Sequence, residues 1–172
     1  FSLDGSDGSA TNTSITAMTA NIILTEDEDK AIKIDNTAAT GQDTITTLNI
    51  TNSTAAQTTG LIITGTGSGT GATTVNISGS KAVTLGASTA SKVDASGLSG
   101  VLTATSSDNM LSITGGTGAD VLTGHTAKAF VLDGGAGNDT FKTPADSTKG
   151  TISNFEIISL ETANNDFLAS QI

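Results

Sequence analysis

Apolar residues come along this chain in short beats: Ile22-Ile23-Leu24, Ile32 and Ile34, Leu48 and Ile50, Leu61-Ile62-Ile63, Val75 and Ile77, Val83 and Leu85, Val93, Val101-Leu102, Leu111 and Ile113, Val121-Leu122, Val131-Leu132 and Ile152. Gly, Ser, Asn and Asp lie between them, and short apolar beats bounded by such breakers predict strands. Helical spacing is confined to residues 164–172, a stretch too short to stand alone. From Val75 onward the beats recur about every nine residues, too close for helical crossovers and suited to a strand plus a tight turn. That spacing predicts a solenoid, in which one coil cannot bury its apolar side chains and stacked coils make the core. Before residue 72 the beats are wider, and Gly65-Thr66-Gly67-Ser68-Gly69-Thr70-Gly71 interrupts them. The expected organisation is an irregular β-rich segment over 1–72, a β-solenoid over 73–163 and a C-terminal tail over 164–172. No Lys-Ser/Thr follows the glycine-rich loop and no helix is indicated there, so it does not read as a phosphate cradle.

Composition narrows the function classes. Of 172 residues 35% are hydrophobic, which leaves only a thin conventional core. Seven Lys plus Arg against 17 Asp plus Glu give a net charge of −10, a surface that repels nucleic acid and anionic lipid and attracts cations. With no cysteine there is neither a disulfide framework nor a thiolate metal site. Without Trp or Tyr there is no stacking platform for a sugar, and the single histidine, His125, has no nucleophile or second imidazole near it in sequence. His125 reads as a surface turn residue, and no enzymatic activity is expected. No apolar run has the length of a membrane span, and no charged-then-apolar leader opens the sequence. The sequence starts at Phe1, as a fragment of a longer protein would.

Two segments share a nine-residue pattern, Gly-Gly-x-Gly-x-Asp-x-apolar-x. They are Gly115-Gly116-Thr117-Gly118-Ala119-Asp120-Val121-Leu122-Thr123 and Gly134-Gly135-Ala136-Gly137-Asn138-Asp139-Thr140-Phe141-Lys142. Repeats of this class bind calcium in parallel β-helices. Glycines accept the left-handed backbone angles that aim carbonyl oxygens at one point, and a hard cation needs about six to eight oxygen ligands. The expected calcium ligands are the carboxylates of Asp120 and Asp139 and the carbonyls of Gly115, Thr117, Gly134 and Ala136, with Gly118 also expected at the metal site. The two copies are offset by one residue more than two nine-residue units, which indicates an insertion. Motifs one full coil apart then stack on the same edge. The intervening Gly124-to-Leu132 stretch keeps the apolar beat but lacks the carboxylate, so the opposite edge is expected to bind weakly or not at all.

These segments resemble RTX calcium-binding repeats, and their Thr/Ser/Ala/Gly-rich surround is similar to bacterial surface-layer (S-layer) proteins. Val93-Asp94-Ala95-Ser96-Gly97-Leu98-Ser99-Gly100-Val101-Leu102 leads into the first motif as in such chains, and Gly150-Thr151-Ile152-Ser153-Asn154-Phe155-Glu156-Ile157-Ile158-Ser159-Leu160 resembles the strand that follows the repeats there. The resemblance implies an all-β, right-handed parallel β-roll with calcium-binding Gly/Asp-rich turns. It also implies type I secretion, calcium-driven folding outside the cell and self-assembly into a homo-oligomeric lattice at the cell surface. Attachment to a cell-surface polysaccharide would fall to regions outside this chain. Two copies of the motif are few, and they leave two other readings open: a module of a secreted RTX adhesin, or the calcium-folding tail of a type I secreted enzyme.

Other acidic positions have two readings each. Asp133 and Asp108, shortly before the two motifs, could add oxygens to the same ions, and Asn138 could be a side-chain ligand; turn chemistry explains all three equally well. The run Glu26-Asp27-Glu28-Asp29 is a solvated turn or an interfacial calcium bridge. Asp4-Gly5-Ser6-Asp7-Gly8 lacks the spacing of an EF-hand and reads as a flexible leading segment.

Overall fold

The computed structural model describes residues 18–25, 34–35, 45–64, 74–88, 90–144 and 149–160. The leading Asp4-to-Gly8 stretch, the Glu26-to-Asp29 run, the Gly65-to-Gly71 loop and the 164–172 tail lie outside them. The described residues contain strands and no helix. One sheet holds β1 (Met18–Leu24), β3 (Ile45–Asn52), β5 (Thr74–Gly79), β7 (Lys92–Leu98), β9 (Ser112–Thr114), β11 (Phe130–Asp133) and β13 (Gly150–Ser153). The other holds β2 (Ile34–Asp35), β4 (Gln57–Thr64), β6 (Val83–Ser88), β8 (Leu102–Thr105), β10 (Val121–Thr123), β12 (Thr140–Lys142) and β14 (Ile157–Ser159). The chain crosses from one sheet to the other after every strand, and each strand pairs in parallel with the strand one coil away.

Register turns the apolar beats into columns. Leu48, Val75, Val93, Ile113, Leu132 and Ile152 are successive partners in one sheet, and Leu85, Ala104, Leu122, Phe141 and Ile158 in the other. Both columns belong to a single core, whose last members, Ile152 and Ile158, are only partly covered. Between the inward positions the side chains face out: Asn76 donates to Asn49 (2.8 Å) and Asn49 to Asn21 (2.9 Å), an amide ladder across three strands.

The stack narrows along its length. Thr19, Thr47 and Thr74 mark coils of about 27 or 28 residues, whereas Thr103 pairs with Val121 and Val121 with Thr140, coils of 18 and 19. The strands shorten from six to eight residues in β3 to β7 to three or four from β8 onward. The residue inserted between the two motifs falls in the stretch 124–130 that leads from β10 into β11, because Thr105 pairs with Thr123, 18 residues on, whereas Ser112 pairs with Val131, 19 residues on. Phe130, at the start of β11, is 2% exposed and lies against Gly124 and Gly150, either of which would clash with the ring if it carried a side chain. Its ring is 6.1 Å from that of Phe141, which is 5.8 Å from that of Phe155.

One sequence expectation is corrected here. The Gly150-to-Leu160 segment reads as one strand, but it is two, β13 and β14, in different sheets. The corner between them falls at Asn154, whose φ of 56° is left-handed, a conformation Asn tolerates better than other residues with a side chain.

Leu132 is fully buried at the centre of its column, and Val131 beside it is 52% exposed. Leu132→Ala should cost about 2–5 kcal/mol in urea unfolding, and Val131→Thr within about 0.5 kcal/mol of zero.

Candidate cation site on the turn edge

Each crossing from the first sheet to the second forms one edge of the stack. The crossings that follow β3, β5 and β7 are short, and the amides that open β4 and β6 find backbone carbonyls, with Asn52 Nδ2 donating to the Ala82 carbonyl (3.1 Å) and Ser99 Oγ to the Gly79 carbonyl (3.3 Å) as well. The N–H of Gln57, opening β4, donates to the Ala82 carbonyl (2.8 Å), and that of Val83, opening β6, to the Val101 carbonyl (2.8 Å). At β8 the acceptor changes. The Leu102 N–H donates to Asp120 Oδ1 (2.7 Å), so a side-chain carboxylate takes the place of a backbone carbonyl. The exchange then repeats: Asp120 N–H donates to Asp139 Oδ1 (2.7 Å), and Asp139 N–H to Glu156 Oε2 (2.8 Å). All three acids stand immediately before a strand of the second sheet, at β10, β12 and β14.

The glycines of the two motifs make this stacking possible by close approach. A Cβ on Gly115 would meet the Gly134 carbonyl oxygen and Asp120 Oδ2, and one on Gly118 would meet the Gly100 carbonyl. The turns are tied to each other by Thr117 N–H to the Leu98 carbonyl (2.9 Å), Ala136 N–H to the Gly116 carbonyl (2.9 Å) and Gly115 N–H to the Asp133 carbonyl (2.8 Å). Thr117, Ala136 and Asn138 are exposed on the outside of these turns.

Asp120 and Asp139 are both fully buried, yet their carboxylates are served differently. Asp120 Oδ2 accepts the Gly116 N–H (2.6 Å), so each of its oxygens has an amide. The matching amide in the second motif, Gly135 N–H, turns instead to Asp133 Oδ1 (3.1 Å), with Gly135 at a φ of 92°. Asp133 Oδ1 also accepts Asn154 Nδ2 (2.7 Å). Asp139 Oδ2 is consequently left buried with no hydrogen-bond partner. An orphaned buried oxygen carries a cost of about 1–3 kcal/mol, more when it is charged.

That oxygen is the test of whether calcium fits. One free carboxylate oxygen with a backbone carbonyl, that of Asn154, close to the same point over Gly134 belongs to the all-oxygen chemistry a hard cation takes. Among the described residues no three His, Cys, Asp or Glu side chains converge as a metal-binding group, so a cation here would draw most of its ligands from the backbone. The residues fit such an ion at Asp139, whereas the carboxylate of Asp120 is already engaged with amides on both oxygens.

Burial holds both carboxyls above their ordinary range; for Asp120 the amides of Leu102 and Gly116 oppose the shift, and for Asp139 the Asp120 amide does so while the charges of Glu156 and Asp133 add to it.

The opposite edge has another character. Its turns, 106–111 and 124–129, carry Asp108 and His125. Asp108 therefore stands across the stack from Asp120 and Asp139 and cannot supply oxygens to an ion there. It pairs instead with Lys128 Nζ (3.2 Å) and His125 Nε2 (3.4 Å), while the Asp108 carbonyl accepts Lys128 Nζ (2.9 Å). His125 is a turn residue as the sequence indicates, with Nδ1 accepting the N–H groups of Ala127 and Lys128, both at 3.0 Å.

The two aspartates should respond differently to neutralisation in chelator. Asp139→Asn keeps an oxygen for the Asp120 amide and removes a charge from an orphaned atom, so stability should hold or rise. Asp120→Asn sets an NH2 against the Leu102 or the Gly116 amide and should cost about 1–3 kcal/mol in urea unfolding. A carboxyl whose folded pKa is raised binds its proton more tightly folded than unfolded. In chelator, the contribution of these two groups should therefore be greatest below the unfolded value of about 3.9 and fall as pH rises from there through the folded values. Melting temperatures across that window should show a smaller decline for Asp139→Asn than for the parent.

Comparison with protein-family models, with curated proteins and with solved structures gave no match to this chain.

Proposed function

We propose that this chain is structural material of a calcium-dependent, self-assembling bacterial surface layer, acting outside the cell and not as a catalyst. The observation that carries the reading is Asp139 Oδ2, a buried carboxylate oxygen without a partner on an edge of stacked glycine turns. The two nonapeptide motifs that resemble RTX repeats form that edge, and the parallel two-sheet stack is an architecture in which such turns can align. Calcium at Asp139 supplies the positive charge that the carboxylates of Asp139, Asp133 and Glu156 lack, and so holds the short coils together. A net charge of −10 opposes self-association until cations bridge it, which makes the same ion a switch for assembly. Roles in export by a type I apparatus and in lattice formation with further copies of the chain belong to the same proposal.

Affinities of extracellular calcium modules are about 10⁻⁴ to 10⁻³ M. Millimolar calcium should raise the melting temperature and convert monomers into ordered sheets visible by electron microscopy, with chelator reversing both. Binding of calcium with monomers only, at high protein concentration, would favour a spacer module of an RTX adhesin. No change in stability with calcium would end the reading altogether.

A further inference from the structure

The acidic edge has a third tier that the nonapeptide pattern does not contain. At the first tier, the Gly134 carbonyl and Asp120 Oδ2 both crowd the space over Gly115. At the second, the Asn154 carbonyl crowds the space over Gly134, and a Cβ placed there would lie 2.8 Å from Asp139 Oδ2. Asn154 thus stands to Gly134 as Gly134 stands to Gly115. Its left-handed backbone sets that carbonyl, and its amide group fixes Asp133. Two residues later Glu156 accepts the Asp139 N–H, while the Asp139 carbonyl accepts the N–H groups of Glu156 (3.2 Å) and Ile157 (3.0 Å). The corner 154–156 has three residues where the motif turns, 115–120 and 134–139, have six, and the longer Glu side chain spans what the shorter turn does not.

We infer that Asn154 and Glu156 complete the cation site of Asp139, the Asn154 backbone carbonyl as an oxygen ligand and the Glu156 carboxylate as the positioning residue that fixes Asp139. The inference rests on the calcium reading above, and it assigns the last site of the edge to a segment that matches no repeat. The second observation behind it is the buried, unpartnered Asp139 Oδ2, which lies on the Asn154 side of its turn. Because the site needs this corner, the repeats alone would be an incomplete calcium edge.

The test is calorimetric titration of the full chain with calcium chloride, together with hydrogen exchange of the Asp139 amide in chelator. Asn154→Val, which resists a left-handed backbone, and Glu156→Ala should each weaken the Asp139 site by roughly 10- to 100-fold. Asn154→Gly keeps the backbone, and Glu156→Gln keeps an acceptor for the amide, so both should bind more tightly than their disruptive counterparts. Glu156→Ala should also speed exchange at the Asp139 amide without calcium, and Glu156→Gln should restore protection. If the valine variant loses its β-structure, the comparison of Glu156→Ala with Glu156→Gln decides. Parent-like calcium affinity in Asn154→Val and Glu156→Ala overturns this inference and leaves the calcium reading standing. A parent chain that takes up no calcium overturns both.

Discussion

The hydrogen bond from a backbone amide to a carboxylate one coil further on is the interaction on which the narrow end of this molecule depends. From β1 through β3 to β5, six or seven paired residues hold neighbouring strands together, and the amides along the edge find backbone carbonyls. Where pairing shrinks to three residues, charge-assisted bonds from Leu102, Asp120 and Asp139 take over the edge. Such bonds are about twice as strong as neutral ones, but they place anions in adjacent tiers. The glycines let the turns that carry those anions approach the carbonyls of the adjacent coil, and the left-handed corner at Asn154 closes the last tier.

Much of the fold was legible because it depends on spacing. The beats from Val75 to Ile152 mark strands, and the nine-residue interval marks a two-strand coil, since both are local regularities. One strand was harder to see. β14 was hidden in the Gly150-to-Leu160 segment, which reads as one strand and whose corner lies in a single residue's φ. The site was legible in kind and not in detail. Gly-Gly-x-Gly-x-Asp announces a glycine turn with a carboxylate, but which amide meets that carboxylate is set by register with a coil 18 or 19 residues away. Sequence therefore could not separate the satisfied Asp120 from the orphaned Asp139, or place Asp108 on the far edge. The signal that could have found the third tier is an acid directly before an apolar pair, as at Glu156-Ile157-Ile158, which echoes Asp120-Val121-Leu122.

The two edges solve one problem by opposite means. On the acidic edge, side-chain oxygens reach back to amides of the preceding coil. On the other, Lys128 and Lys149 reach back to carbonyls of the preceding coil, at Asp108 (2.9 Å) and Ala127 (3.1 Å). Phe130 fills the interior beside that second edge. The ring occupies room left by Gly124 and Gly150.

The narrowing of the stack sets how it can grow. Closing a coil of 18 residues costs about 0.4 kcal/mol less in loop entropy than closing one of 28, a small saving. The strand pairing gained falls from seven partners in β1 and β3 to three in β10 and β12, a much larger loss. Because every tier touches only its neighbours, addition of tiers behaves as a one-dimensional zipper. Growth by narrow coils therefore adds little strand pairing per tier, and each added tier depends for the rest on its share of the core column and of the edge bonds.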